Sequence, residues 1–569
     1  MCGIAGIVGS GNYRPQLQAM LQIQKHRGPN CTDVFYDDNF AVLGHNRLAI
    51  IDLSANANQP FTDTSGRYVI VFNGEIYNYL ELKDSLKNDY NFKTTSDTEV
   101  LLAIYIKHGK DCLHLLNGMF SFAIWDKLKK ELFAARDRFG IKPFYYLKNK
   151  NTLVFSSEIK AIHKAGNERN PNENVWYNYF ENGSYGLPNE TFWEDIYQLP
   201  AGHYFEFSNN NLKISRWYDF VNSIQNKTKL KNYEEAKEVY TKLLINSIQL
   251  RFRADVPIGF NVSGGLDSSA LLALANVSQK DISKIEAFTF YTGDDNYDEL
   301  PWVKQIIASY QCPLNKVLLS SNEVPELAKY LSNIQDEPFG GIPTLAYSKL
   351  FSEASKKGVK VLLDGQGMDE QLAGYDYYRN TSSSTIQGIN KSPFRKNMMQ
   401  SSFITNQSLK NQYPQPFESF VENLQYRDLF YTKIPRALRF NDRISMAYST
   451  ELRTPFLDYR LVEFGFSLPN EFKTRNNQGK QILRDIISKY VNQKVSYAPK
   501  RPLQTPQREW LATNLKGFVE LHIDKIKTST YAYWFDFDEI GREWNSYLNG
   551  NQQSSFHIWQ LVNFSLLMK

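Results

Sequence analysis

Cysteine is scarce in this chain: four among 569 residues, at positions 2, 31, 112 and 312, with no C-x-x-C pair. That spacing excludes a disulfide framework and gives no support to a zinc site. Cys31, Cys112 and Cys312 are therefore expected to be small apolar fillers of the interior; Cys2 needs its own argument. Long apolar runs are also missing, since none approaches the ~18 residues of a membrane span. Charge of one sign is not in excess either. The 65 basic and 60 acidic residues leave a formal +5, without the basic surplus of a nucleic-acid binder. The opening MCGIAGIVGS lacks a basic n-region and soon meets Arg14, so no cleaved signal peptide is expected. Cys2 stands where a myristoylation signal needs glycine. A soluble, cytoplasmic protein without membrane or nucleic-acid partners is the expectation, and 42% hydrophobic with 22% charged residues suits it.

What is present is enough chain for at least two cores, and the pattern changes along it. The first ~200 residues carry short alternating segments that predict strands at 3–8, 41–50, 68–72, 120–125, 131–135, 144–147 and 153–156. Helical periodicity predicts helices at 15–24, 79–86 and 97–108, the last opened by Ser96 and Glu99 in capping-box spacing. Many strands with few helices give a layered α+β domain. Residues 223–232 turn polar and aperiodic, so the domains are expected at 2–210 and 233–569 with a linker over 211–232. From 233 the pattern becomes helix (234–252), strand (258–262), helix (268–274), strand (285–291) and, later, strand (359–363). Such alternation predicts a doubly wound parallel sheet with ligands at the carboxyl ends of its strands. Residues 382–416, rich in Ser, Asn, Gln and Pro, read as an excursion from that domain.

Cys2 gains meaning from its place. Removal of Met1 leaves the thiol beside its own α-amine, whose pKa of about 7.7 to 8.0 lies close enough to the thiol's ~8.5 to take its proton. Nucleophile and base then reside in one residue. MCGIAG is followed by KHRGPN (Lys25 to Asn30), GHNRLAIIDLS (Gly44 to Ser54), QP at Gln59, VFNGEIYN (Val71 to Asn78) and SDTEV (Ser96 to Val100). In order and spacing these resemble the glutaminase domain of class II glutamine amidotransferases, an Ntn-hydrolase-like layered sandwich. The resemblance implies that Cys2 attacks the glutamine amide and that Asn73 with the backbone N–H of Gly74 forms the oxyanion hole. It likewise implies that Arg47 holds the substrate carboxylate and Asp97 its ammonium, with Glu75 a further candidate. DRFGIKPFYY (Asp137 to Tyr146) and FSSEIKA (Phe155 to Ala161) match the same family.

In the second half, IGFNVSGGLDSSALLA (Ile258 to Ala273) sets a glycine-rich turn between an apolar strand and a helix, where backbone N–H groups can cradle phosphate. It lacks the G-K-S/T of a Walker loop, which argues against γ-phosphoryl transfer. SGGLDSS resembles the loop of ATP pyrophosphatases, and with LLDGQGMDEQLAGY (Leu362 to Tyr375) and RFNDRISMAYSTELRTPFLDYRLVEF (Arg439 to Phe464) the half resembles the synthetase domain of the asparagine synthetases. That resemblance implies ATP contacts from Asn261, Ser263, Gly264, Gly265, Asp267, Ser268, Ser269, Phe290, Asp364 and Gly365. It also implies Mg²⁺ held by Asp267 and Asp369; Gln366, Lys480 and Lys500 are candidates for the adenylate and ammonia site, with Lys500 placed to neutralise pyrophosphate as it leaves. Arg443, Glu451 and Arg453 are equally consistent with a structural ion network and with substrate contact.

One departure stands out. Many members of the family have SGEG where this chain has Asp364, Gly365, Gln366 and Gly367, so a carboxylate becomes an amide that offers hydrogen bonds but no proton uptake. The implied reaction consumes glutamine, ATP and aspartate and yields asparagine, glutamate, AMP and diphosphate through an acyl-adenylate, with ammonia passed internally; a homodimer is a family-level expectation. Competing readings are a larger acceptor such as a cell-wall or surface-polysaccharide carboxylate, an internal cyclisation of the β-lactam synthetase kind, and a silent glutamine or nucleotide sensor. Cys2, Arg47, Asn73 and Asp97 speak against the cyclisation, which needs no ammonia.

Overall fold

The computed structural model describes residues 2–227, 230–379, 393–405, 413–476, 478–499, 505–552 and 554–568. Its first half contains two six-stranded antiparallel sheets. In one, Gly3–Gly9 lies between Ala41–Arg47 and Thr152–Ser156, with Cys31–Asp37 at one edge and Tyr145–Lys148 then Tyr197–Gln198 at the other. The second runs from Asn211–Arg216 through His203–Ser208, Glu131–Arg136, Gly118–Asp126 and Tyr68–Ile76 to Phe61–Thr62.

Strand alternation explains the layering. Ile4 and Val8 join Val69, Val71, Trp125 and Phe205 in one core, whereas Ala5 and Ile7 face another core with helix Arg14–Ile23. Ile70 and Phe72 point the opposite way from Val69 and Val71, into a third core with helix Asp97–His108. Period-two side chains thus feed a helix–sheet–sheet–helix sandwich, the layered α+β arrangement the sequence predicts. Each fully buried Leu, Ile or Phe contributes ~1.5–3 kcal/mol, so these cores hold the sheets in one register.

Several short strands escaped the periodicity, among them 31–37, 203–208 and 211–216. Within the stretch expected as linker, 211–216 pairs with 203–208 and Phe220–Gln225 is a short helix. The capping box at Ser96 is half formed. Ser96 accepts from the Glu99 N–H, but the Glu99 carboxylate turns to the N–H groups of Lys93 and Thr94. Cys112 and Cys312 are buried as expected; Cys31 is only half-buried, because its strand is a sheet edge.

The second half is built on a five-stranded, all-parallel sheet in the order Leu314–Leu318, Ala287–Tyr291, Ile258–Asn261, Val361–Leu363, Glu451–Arg453. Sequence order reverses between 258–261 and 361–363, and at such a switch point the loops leaving the strands diverge to open a crevice. Helix Leu266–Gln279 leaves the first of these strands, through the SGG turn, and Asp364 to Gly367 follows the second. Part of the 382–416 excursion lies outside the described residues; within the rest, Ser401–Thr405 is helical.

The halves are joined by buried charge. Arg27, fully buried, bonds Asp442 at 2.8 Å and Glu158 at 3.1 Å. Arg251 pairs with Asp458, which also accepts from Asn117 Nδ2. Arg443 bonds Asp336, so this member of the undecided trio belongs to an ion network.

Candidate active sites

The amino-terminal site forms where strands 3–9, 41–47 and 68–76 end together. The Cys2 main-chain N–H donates to Asn73 Oδ1 at 3.0 Å, while Asn73 Nδ2 is buried without a hydrogen-bond partner. A buried orphan donor is costly, and this one sits beside the Cys2 strand. Cys2, Arg47, Gly74, Glu75 and Asp97 line one cavity of about 30 Å³ with Gln59 and Leu48. At Gly74 a Cβ would come within 2.2 Å of the Met119 carbonyl oxygen, so only glycine fits.

Burial raises the Cys2 thiol above its ordinary pKa and Glu451 adds to this, against the opposing pull of the amino terminus, a hydrogen bond with the Leu48 backbone and the Arg47 charge. The thiol is therefore the resting form. Arg47 is anchored by the Ser54 carbonyl at 2.6 Å and Asn58 Oδ1 at 2.7 Å. Asp97 accepts from the Ile76 N–H at 2.9 Å, and burial pushes its pKa up to about 6. Glu75 is raised well above the carboxylate range by burial and by Glu451, although the Arg453 guanidinium lies 3.3 Å away. Gln59 fixes this wall: its Oε1 accepts from the Phe72 N–H and its Nε2 donates to Thr98. Its place in the QP motif was the only sign of that role.

Glu451 and Arg453 reach this site from the edge strand of the parallel sheet. They bond each other at 2.6 Å, and the Arg453 carbonyl also accepts from the Asp364 N–H at 2.9 Å. Burial opposes ionisation of Glu451, yet positive neighbours including Arg453 and Lys142 hold its pKa at about 2. For these two residues, as for Arg443, ion pairing is what the side chains do here.

The second site is a cavity of about 610 Å³ at the switch point, lined by Asn261, residues 263–268, residues 364–367, Asp369 and Lys480 among others. Asp267 and Asp369 converge on the Lys480 ammonium at 2.7 and 2.8 Å. Asn261 Nδ2 and Tyr347 Oη both donate to Asp364, at 2.6 and 2.5 Å; nothing in the sequence singled out Tyr347. Ser268 Oγ donates to the Ser263 carbonyl at 2.5 Å and Ser269 Oγ to the Gly265 carbonyl at 2.7 Å, which braces the turn. Gly365 packs on the helix start, where a Cβ would lie 3.0–3.1 Å from Asp267 and Ser268. The Gln366 Oε1 is buried in the lining without a partner. Phe290 does not face this cavity; it lines a small adjoining one with Asn261, Ser263 and Tyr347. Lys500 lies outside the described residues. Among the described residues no cluster of three His, Cys, Asp or Glu could hold a metal ion.

An amino-terminal cysteine site in a layered sandwich, joined to a phosphate-type loop at the switch point of a parallel sheet, defines a two-domain amidotransferase. Residues 1–218 match the glutamine amidotransferase domain model and residues 240–569 the asparagine synthase model. The chain belongs to the asparagine synthase family, glutamine-hydrolysing carbon–nitrogen ligases. It is similar to asparagine synthetase (glutamine-hydrolyzing) 3 of Bacillus subtilis (strain 168), 29% identical with 90% of each chain covered. A putative asparagine synthetase (glutamine-hydrolyzing) 2 of Methanocaldococcus jannaschii is 36% identical over 67% of this chain and 76% of its own. Asparagine synthetase (glutamine-hydrolyzing) 2 of the same Bacillus is 31% identical over 88% and 71%. No helix among the described residues is long and apolar enough to cross a membrane.

Proposed function

We propose that the chain couples glutamine hydrolysis at Cys2 to amidation of a carboxylate that ATP activates in the 610 Å³ cavity. Aspartate is the first acceptor to test, because the relatives' names specify asparagine as product. The observation that carries the reading is the two-sided role of Asn73: Oδ1 holds the Cys2 N–H while the orphaned Nδ2 is free to donate.

After Met1 is removed, the Cys2 α-amine takes the thiol proton. The thiolate attacks the glutamine amide carbon, and the oxyanion is stabilised by Asn73 Nδ2 and the Gly74 N–H, each such donor being worth ~2.7–4 kcal/mol. The amine returns the proton to the departing ammonia, and water then frees glutamate from the thioester. Arg47 pairs with the substrate carboxylate. Asp97 takes the ammonium; Glu75 is held by Arg453 and is the weaker candidate.

In the second cavity the turn at 263–265 and the helix start that follows it cradle the nucleotide phosphates with main-chain N–H groups, with Asp364 and Gly365 along the nucleotide; the Ser268 and Ser269 hydroxyls brace the turn instead, and Ser269, fully buried, does not line the cavity. Asp267 and Asp369, which already share the Lys480 cation, form the donor set Mg²⁺ prefers, one or two carboxylates completed by phosphate oxygens. Bound there, the ion would neutralise pyrophosphate charge. Lys480 and Lys500 add positive charge for the same leaving group. Gln366 can orient the attacking ammonia by hydrogen bond but cannot take its proton. Internal transfer between the sites keeps ammonia unprotonated and nucleophilic.

The test is to incubate the protein with ATP, Mg²⁺, glutamine and aspartate and to quantify asparagine, glutamate, AMP and diphosphate together. Asparagine and AMP in equal amounts support the whole reading. Glutamate without asparagine withdraws aspartate and favours the second reading, a larger carboxylate, for which the cavity lining supplies a reason.

A further inference from the structure

The cavity at the switch point extends past the nucleotide loop to a wall that the reaction above does not use. That wall is made by helix Lys433–Met446, by Tyr179 and Tyr185 from the first half of the chain, and by the carboxyl-terminal helix Phe556–Leu567. Its rings include Tyr185, Phe339, Phe440 and Trp559. Tyr185 meets Phe440 edge-on with centroids 5.3 Å apart, and Phe339 meets Trp559 at 5.7 Å. Flat aromatic faces of this kind suit the C–H face of a sugar ring or the plane of an aryl ring.

Charge on the wall is of one sign. Lys433 and Arg436, one helical turn apart, both line the cavity. Neither forms an ion pair with any described residue; Lys433 lies over the Tyr375 ring at 5.2 Å and Arg436 over the Tyr185 ring at 5.8 Å. Burial, with Arg436 second, pushes the Lys433 pKa down to about 7 against the opposing pull of Asp428 and Glu370. An anion placed between the two cations would relieve that repulsion. On the same helix Arg439 already has Glu337, at 3.0 Å. A buried, unpartnered polar atom also belongs to this wall: Gln560 lines the cavity, and its Oε1 has no hydrogen-bond partner although its Nε2 donates to the Tyr179 carbonyl.

Two of the acidic groups of the cavity already hold a cation, and two accept from neutral donors. Asp267 and Asp369 share Lys480, Asp364 accepts from Asn261 and Tyr347, and Glu370 accepts from the Tyr375 hydroxyl at 2.7 Å. Aspartate has no ring for these faces, and its α-ammonium would be repelled by the Lys433 and Arg436 cations of this wall.

We propose that the acceptor bound in this chamber is a ring-bearing carboxylate with a second anionic group: a uronic acid or an aryl carboxylate carrying a phosphate. This deepens the ligase reading and rests on it. The carboxylate oxygen attacks the ATP α-phosphorus and expels diphosphate, giving the acyl-adenylate. Ammonia then displaces AMP and releases one proton, leaving a primary amide. The rings hold the body of the acceptor, and Lys433 with Arg436 takes its second anion.

The experiment follows carboxylate-dependent ATP–diphosphate exchange, and AMP formation with ammonium chloride, using aspartate, glucuronic acid 1-phosphate, 4-carboxyphenyl phosphate and the phosphate-free glucuronic and benzoic acids. A phosphorylated ring acceptor is expected to exceed aspartate by about tenfold or more in kcat/KM, the factor a single well-placed charge contact supplies. Which of the two phosphorylated compounds is used separates sugar from aryl. Arg436→Glu is expected to lower the ratio of phosphorylated to phosphate-free turnover by about tenfold, a ratio in which loss of folded protein cancels; Arg436→Met should lower it less. Preference for aspartate over every ring acceptor, or an unchanged ratio in Arg436→Glu, overturns the chamber assignment and leaves the ligase reading standing. Absence of exchange with every carboxylate sinks the ligase reading itself.

Discussion

Replacing Asn73 by alanine tests the amino-terminal site at its most informative atom. The substitution removes two functions at once. Loss of the Oδ1 acceptor leaves the Cys2 nitrogen, the base of the reaction, without its 3.0 Å bond, which costs about 0.5–1.5 kcal/mol of stability that a denaturant titration can read and loosens the base. Loss of the Nδ2 donor acts only when charge develops on the amide oxygen, and removal of one such donor costs about 2.7–4 kcal/mol, or 10²–10³ in kcat. Glutaminase kcat is therefore expected to fall by about that factor, while the KM for glutamine changes little, because neither Asn73 atom is assigned to the substrate's charged end. The assay is glutamate release from glutamine, run beside AMP formation driven by ammonium chloride. Ammonia-driven turnover is expected to persist, since the cavity of the second site contains none of these atoms. A fall of less than threefold in glutaminase activity, or an equal loss of both activities in a protein that still unfolds cooperatively, would refute the reasoning.

Cys2→Ala is expected to abolish glutamine use and spare ammonia-driven amidation, measured by the same pair of assays. Asp267→Ala should do the reverse to adenylation: diphosphate exchange disappears, because a carboxylate that shares the Lys480 cation is lost from the phosphate site. Asp97 carries a pKa of about 6, raised by burial. As pH falls through that value the carboxylate protonates and loses its attraction for the glutamine ammonium, so glutamine KM should rise below pH ~6 by up to about tenfold per unit; a flat KM between pH 5 and 7.5 would remove Asp97 from that role. Arg27→Ala strands Asp442 in the interior between the halves, while Glu158 keeps Lys160 and His26, a loss of the kind that costs about 3–5 kcal/mol, to be read as a shift in the urea midpoint.

Much of this protein was legible in its sequence because its chemistry is written in contiguous runs. Cys2, the Asn73–Gly74 pair and the 263–269 loop each carry their neighbours with them, and a period-two or helical pattern is sufficient to place them at strand ends and a helix start. The short strands at 31–37, 203–208 and 211–216, and the half-formed cap at Ser96, were less legible. Two or three alternations do not outweigh turn-like composition, and the Glu99 carboxylate had a choice of N–H partners that local spacing cannot rank. Phe290, expected at the nucleotide, lines the adjoining cavity instead, since a strand's alternation leaves only one face toward each side.

The sequence by itself determined the family of each half, their order along the chain and the exchange of a carboxylate for Gln366. Tertiary structure alone decided which distant charges meet. Asp267 and Asp369 close on Lys480, Arg453 ties Glu75 to the strand beside Asp364, and Lys433 with Arg436 turns unpaired cations into a ring-lined chamber. The physical reason is separation along the chain. Periodicity reports which way a side chain faces within its own element, whereas the partner it finds there depends on sheet order and on the packing of helices hundreds of residues apart.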